Sequence, residues 1–222
     1  MKIRELRELG SGLDKLVQRI PFVRELRASD PEQFQLLMTY CCLVDLAPGE
    51  VIMRRGEQGS WLYFLIRGRL NVYADQPLPS AVINHITPGE LFGDLALISE
   101  QQRKATVAAD SDERGAQLFA CDFKPFGALM DFHSLRLSTK LQFYRTMVHS
   151  IRWRLEVNRM ASPGHPLVAD LRRVPVFSGA RGGIAELQAL HQQASVLAAL
   201  LEHWNSARSS ADGLLIAGAD TG

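Results

Sequence analysis

Phe92-Gly93-Asp94-Leu95-Ala96-Leu97-Ile98, followed by Arg103-Lys104-Ala105-Thr106-Val107, is the stretch on which the reading of this chain turns. A glycine and an acid open a single helical turn. An arginine then arrives just before an apolar strand. The first N–H groups of a helical turn lack internal partners and favour an anion. Arginine grips such an anion through a fork of donors, and a carboxylate accepts from hydroxyl groups. Gly93, Ala96 and Ala105 are small enough to let the backbone approach a ligand closely. Outward from this stretch, residues 41–121 break into short β-rich runs separated by Pro-Gly, Gly-Glu, Arg-Gly and Asp-Gln-Pro turns. The runs predict strands over 41–46, 50–54, 61–67, 69–74, 81–87, 104–109 and 116–121. Many short strands at even spacing argue for an antiparallel sandwich or barrel.

Two further stretches accompany the first. One is Leu46-Ala47-Pro48-Gly49-Glu50-Val51-Ile52, then Gly56-Glu57, then Leu62-Tyr63-Phe64-Leu65-Ile66-Arg67-Gly68. The other is Ile86-Thr87-Pro88-Gly89-Glu90-Leu91-Phe92. In this order and spacing the three resemble the cyclic nucleotide-binding domain family, over roughly residues 20–160. The resemblance implies an α+β fold. Its centre is an antiparallel β jelly roll (a double-stranded β-helix), flanked by N-terminal helices and a long C-terminal helix. The implied division is an N-terminal helical extension over 1–20, a nucleotide-binding unit over 21–160 with a long helix at about 134–160, and a helical tail of unknown role over 161–222.

The same resemblance implies a site. Arg103 pairs with the exocyclic oxygens of a cyclic phosphate; it also reads as a solvated loop arginine. Gly93, Leu95 and Ala96 contribute backbone, and Ala105 leaves room while offering its N–H. Asp94 stands where the family usually has Glu, whose carboxylate takes the ribose 2′-OH. Aspartate is one methylene shorter, so the reach falls by roughly 1.5 Å. Loss of that bond would cost about 1.5–3 kcal/mol. Asp94 also reads as a helix N-cap. Lys104 occupies a position where cGMP-selective members often carry Thr; lysine has no acceptor, so cAMP is favoured over cGMP as the ligand. Lys104 also reads as a solvated side chain. Asn158 falls at a base-contacting position near the end of the long helix; it also reads as a seam residue that sets register.

The helical parts carry their own signals. Apolar residues at Ile3, Leu6, Leu9, Leu13, Leu16 and Ile20 predict two short helices, broken at Gly10-Ser11-Gly12. Ser29-Asp30-Pro31-Glu32 predicts a helix start, with the helix running to about Tyr40. Leu137, Leu141, Tyr144, Val148, Ile151 and Leu155 follow heptad spacing, with Asn158 next, and predict a homodimer through the long helix. Arg136, Lys140, Arg145, Arg152, Arg154 and Arg159 on the same helix read as a solvated face. Residues 167–183 are mixed in character, and a last helix is predicted over about 184–206.

Composition bounds the rest. The 222 residues carry a net charge of +1, which gives no global pull toward nucleic acid or membrane. No apolar run reaches the length needed to cross a bilayer, and the N-terminus lacks the apolar core of a signal peptide. Cys41, Cys42 and Cys121 do not suggest a disulfide framework, so a cytoplasmic location with reduced thiols is expected. The six histidines are scattered, and no metal site is expected. No P-loop, Ser/His/Asp set or paired-acid motif is present, so neither catalysis nor a cofactor is expected. Residues 161–222 lack the short helix pair and basic reading helix of a helix-turn-helix, so DNA is not an expected partner. The expectation is a cyclic nucleotide sensor that signals to a protein partner through a helix rearrangement. The alternatives are a fold that has lost its ligand and acts as an oligomeric scaffold, and a transcription regulator of the cAMP-receptor type.

Overall fold

The computed structural model describes residues 1–6, 12–74, 77, 82–94, 98 and 102–217, with the side chains of 13, 14, 16, 17 and those beyond 207 left aside. Leu95 and Ala96, both expected at the site, lie outside the described residues, as do Leu9, Gly10 and Ser11.

Among the described residues nine strands form two antiparallel sheets. They are β1 (Lys2–Glu5), β2 (Cys41–Leu46), β3 (Val51–Met53), β4 (Trp61–Arg67), β5 (Leu70–Tyr73), β6 (Val82–Ile86), β7 (Leu91–Phe92), β8 (Thr106–Ala109) and β9 (Ala116–Asp122). One sheet runs β1-β2-β9-β4-β7 and the other β3-β8-β5-β6, the antiparallel sandwich expected from the strand spacing and the jelly roll that the resemblance implies. β4 shows why its sequence, WLYFLIR, is almost continuously apolar. Successive side chains of a strand point to opposite faces. Tyr63 and Leu65 enter the core between the sheets, with Leu70, Val107 and Leu118. Leu62, Phe64 and Ile66 enter a second core beneath the helices. Both faces are therefore dry.

The helices are α1 (Gly12–Arg19), α2 (Pro21–Ser29), α3 (Pro31–Met38), α4 (Leu137–Ala161), α5 (Leu167–Arg173) and α6 (Ile184–Ala217), with a 3-10 turn at Lys124–Phe126. Pro21 and Pro31 open their helices, where a missing N–H costs nothing. The side chain of Asp30 caps α3 by accepting from the Gln33 N–H at 3.2 Å.

Three expectations are corrected. The first concerns residues 2–5, read as helix, which form β1. The edge of β2 offers unpaired backbone groups, and Lys2–Glu5 pair with them in register with Asp45–Cys42. An Arg4–Asp45 ion pair at 2.7 Å sits across that register.

The second concerns the seam of α4. It does not await a partner subunit. Leu141, Tyr144, Val148, Ile151 and Leu155 are all buried within this chain, Ile151 and Leu155 completely. They share one core with Leu187, Ala194, Leu197, Leu201 and Trp204 of α6. Tyr144 meets His191 edge to face, Arg145 pairs with Glu186, and Trp153 and Asn158 of α4 line a common cavity with Leu201 and Ser206 of α6. Contacts thus advance together along both helices, so α4 and α6 run in the same direction. Residues 162–183, including α5, make the return.

The third concerns the basic residues expected to form a solvated face: Arg136, Arg145 and Arg159 stay exposed, but Lys140 and Arg154 are withdrawn from solvent. Arg136 pairs with Asp30 at 2.7 Å and Glu32 at 2.5 Å, and Arg159 pairs with Glu156. Lys140 is buried and donates to the carbonyls of Ala128 at 2.7 Å and Leu129 at 3.3 Å. Burial pulls its ammonium below the ordinary value, with Asp131 opposing.

Candidate functional site

A cavity of about 950 Å³ opens between the roll, α4 and α6. That lies at the upper end of the ~300–1,000 Å³ common for ligand pockets. Arg103, Asp94 and Lys104 line it from the roll, Arg154 and Asn158 from α4, and Glu202 from α6.

Arg103 is the centre of its floor. It precedes β8, and its backbone is fixed on both sides. Its N–H donates to the Glu57 carbonyl at 2.8 Å, and its carbonyl accepts from the Gly56 N–H at 2.9 Å. The side chain is only 4% exposed. Nη1 donates to the Gly93 carbonyl and Nη2 to the Trp61 carbonyl, each at 2.7 Å. The guanidinium lies 5.9 Å from the centroid of the Tyr63 ring, which stacks on Phe92 across the β4–β7 pair. Two of the five N–H donors of an arginine are therefore engaged by described residues. Burial pulls the guanidinium below its ordinary value, and Tyr63, Asp94 and Glu57 oppose that shift.

Two glycines make this placement possible. Gly93 adopts φ +82°, and a Cβ there would lie 2.9 Å from Arg103 Nη1 and 3.0 Å from the Trp61 carbonyl. A Cβ at Gly59 would overlap Arg103 Nε itself. The sequence reading picked out Gly93. It had no signal for Gly59, whose role rests on a contact with a residue far along the chain.

Asp94 is fully buried at the start of the helical turn. Its Oδ2 accepts from Nη2 of Arg154 on α4. Its Oδ1 is buried without a hydrogen-bond partner among the described residues. An unpaired buried carboxylate oxygen costs about 1–3 kcal/mol or more, so it marks a place where a ligand donor is worth most. Arg154 was not singled out in the sequence beyond its charge. Nothing local distinguishes it from the other basic residues of α4.

The remaining expected residues also meet here. Ala105 lines the same wall, and Asn158 is 7% exposed at the cavity edge. Lys104 is not a bare solvated side chain; it forms an ion pair with Glu202 of α6 at 3.7 Å. Glu202, Asn205 and the whole of α6 were missed as cavity residues. The helix was visible, but its packing partner was not. Among the described residues no cluster of His, Cys, Asp and Glu could hold a metal ion, and no helix is long and apolar enough to cross a membrane.

Residues 43–131 match the family model described as Cyclic nucleotide-binding domain. The match takes in the strands from β3 to β9 and the stretch that holds Gly93, Asp94 and Arg103. The chain is similar to a cyclic nucleotide-gated potassium channel of Rhizobium etli, with 34% identity over 128 residues, covering 52% of this chain and 34% of the channel. It is also similar to the cAMP-dependent protein kinase type II regulatory subunit of Drosophila melanogaster, with 28% identity over 137 residues, covering 62% of this chain and 34% of that subunit. The chain thus spans about a third of the length of these relatives. Among solved structures, a putative cyclic nucleotide-binding protein of Geobacter metallireducens shares the fold, with a TM-score of 0.51 and 15% identity over 64% of this chain and 96% of that one.

Proposed function

We propose that this chain is a non-enzymatic cyclic nucleotide sensor whose ligand is cAMP. The observation that carries the reading is the buried Arg103 guanidinium beside the Gly93–Asp94 turn, on the floor of a cavity of about 950 Å³. The exocyclic phosphate oxygens would meet Arg103 and the backbone of 93–96, with Ala105 leaving room. Asp94 Oδ1 would accept the ribose 2′-OH. Asn158 and the α4–α6 wall would face the base. The unit holding the ligand is taken as residues 21–160, and α6 closes the cavity through residues 201–206.

Signalling follows from the Asp94–Arg154 pair. The carboxylate that would receive the ribose hydroxyl already holds α4. A ligand that competes for, or strengthens, that pairing changes the position α4 prefers. It can do so only by binding the two positions unequally. α6 shares the core of α4 and would move with it, presenting a changed surface to a cytoplasmic protein partner. A homodimer through the seam of α4 is not part of this reading, because α6 fills that seam. DNA is not a proposed partner either. Residues 174–183 separate α5 from a long α6 that packs on α4, where a helix-turn-helix needs a tight turn.

Titration calorimetry tests the reading. Wild-type protein should bind cAMP, and Arg103→Ala should lose at least tenfold in affinity. No heat and no thermal shift at millimolar cAMP or cGMP would reject it. One observation favours a second reading, a ligand-free scaffold. Arg103 already donates to the Gly93 and Trp61 carbonyls, and Asp94 Oδ2 already accepts from Arg154. Undetectable binding in a stably folded protein would support that alternative.

A further inference from the structure

α6 lies beyond residues 43–131, the part of the chain that matches the domain family. It nonetheless supplies Leu201, Glu202, Asn205 and Ser206 to the cavity wall. Among these Glu202 is distinctive. Oε2 is held by the Lys104 ammonium at 3.7 Å. Oε1 is buried and has no hydrogen-bond partner among the described residues. A buried carboxylate oxygen in that condition calls for a donor.

The charges of the cavity orient whatever enters it. Arg103 attracts an anion at the floor. A carboxylate on the α6 wall repels one. The end of a ligand that reaches Glu202 must therefore not be an anion, and it must carry an N–H or O–H. Trp153 and Val157 of α4, 55% and 43% exposed, line the same cavity. They give a flat apolar surface on which an aromatic ring can stack. Lys104 follows Arg103 directly, and its side chain together with the 3.7 Å ion pair places Glu202 within about 10 Å of the Lys104 backbone. That span suits a nucleoside monophosphate laid from floor to wall.

We propose that Glu202 is a specificity-determining residue on a helix outside the matched domain: its Oε1 accepts a hydrogen bond from the exocyclic 6-amino group of the purine, while Lys104 holds the carboxylate in place. The base-reading wall is thus completed by the chain's own C-terminal helix. This inference rests on the cyclic nucleotide reading above.

The test uses the whole 222-residue chain and two ligands that differ in one group: cAMP, and the 3′,5′-cyclic monophosphate of purine riboside, which lacks the 6-amino group. Wild type should prefer cAMP by roughly tenfold to a hundredfold, the value of one charge-assisted hydrogen bond. In Glu202→Ala the affinity for cAMP should fall to that for the analogue, while the analogue binds as before. Glu202→Gln keeps an acceptor oxygen and should retain part of the preference. Unchanged melting temperatures would show that both variants stay folded. A preference for cAMP that persists in full in Glu202→Ala overturns the assignment while leaving the sensor reading intact. Failure of wild type to bind either ligand overturns the sensor reading, and this inference with it.

Discussion

At the scale of single residues, the site depends on how a large cation is accommodated in a confined place. Arg103 reaches its position because Gly59 and Gly93 have no side chains and because Tyr63 and Phe92 form a fixed platform beneath it. Gly59→Ala should therefore displace the guanidinium and weaken nucleotide binding at least tenfold. Its effect on the melting temperature should be small, because position 59 lies in a loop; calorimetry beside a thermal melt would check both. Arg103→Lys should not rescue binding, since an ammonium cannot donate to Gly93, Trp61 and a phosphate at once. At this scale the sequence revealed what lies close together along the chain: Gly93, Asp94, Arg103 and Ala105. It was silent on Gly59, the Trp61 carbonyl, Arg154 and Glu202. Each of these becomes important only through a partner dozens of residues away.

At the scale of elements, α4 was legible as a helix but its environment was not. Heptad spacing describes a surface that needs a helical partner, and it does not say whether that partner is another copy or the same chain. Here it is α6. Val148→Lys or Ile151→Lys should consequently unfold the protein rather than release monomers, and Leu155→Ala should cost about 2–5 kcal/mol in chemical denaturation. β1 was misread for a related reason. Ile3 and Leu6 fit helical spacing, but the edge of β2 offered pairing that local periodicity cannot register. The start of α6 carries a pH dependence. Glu186 is buried, which pushes its carboxyl up. The Gly182 N–H at 2.6 Å and the Arg145 fork at 2.8 Å outweigh that and hold it below its ordinary 4.5. A carboxylate with a lowered folded-state value stabilises fully above its unfolded value and loses that contribution as pH falls through the folded one. Attachment of α6 should therefore weaken as pH drops below about 4.5, and Glu186→Gln should flatten that acid limb. Thermal melts over an acid series would read it.

At the scale of the whole molecule, the jelly roll carries Arg103 on the cavity floor, α4 is tied to that floor through Arg154, and α6 closes the side. An antiparallel sandwich could be read from the sequence because its turns are marked by Pro-Gly pairs and its strands by apolar runs, and the resemblance narrowed it to a roll. The closure could not, because residues 162–183 return the chain over a long path before α6 packs alongside α4. If the three parts act together, removing the α4 tie should alter affinity without touching the phosphate. Arg154→Ala frees Asp94 Oδ2 and should shift cAMP affinity severalfold while leaving the Arg103 contacts in place. The most direct measurement is a crystal structure of the chain grown with cAMP. The account predicts the cyclic phosphate on the Arg103 guanidinium and the ribose 2′-OH on Asp94, with the base against the α4–α6 wall. A nucleotide bound elsewhere, or a cavity without nucleotide at saturating cAMP while Arg103 still donates to Gly93 and Trp61, would contradict it.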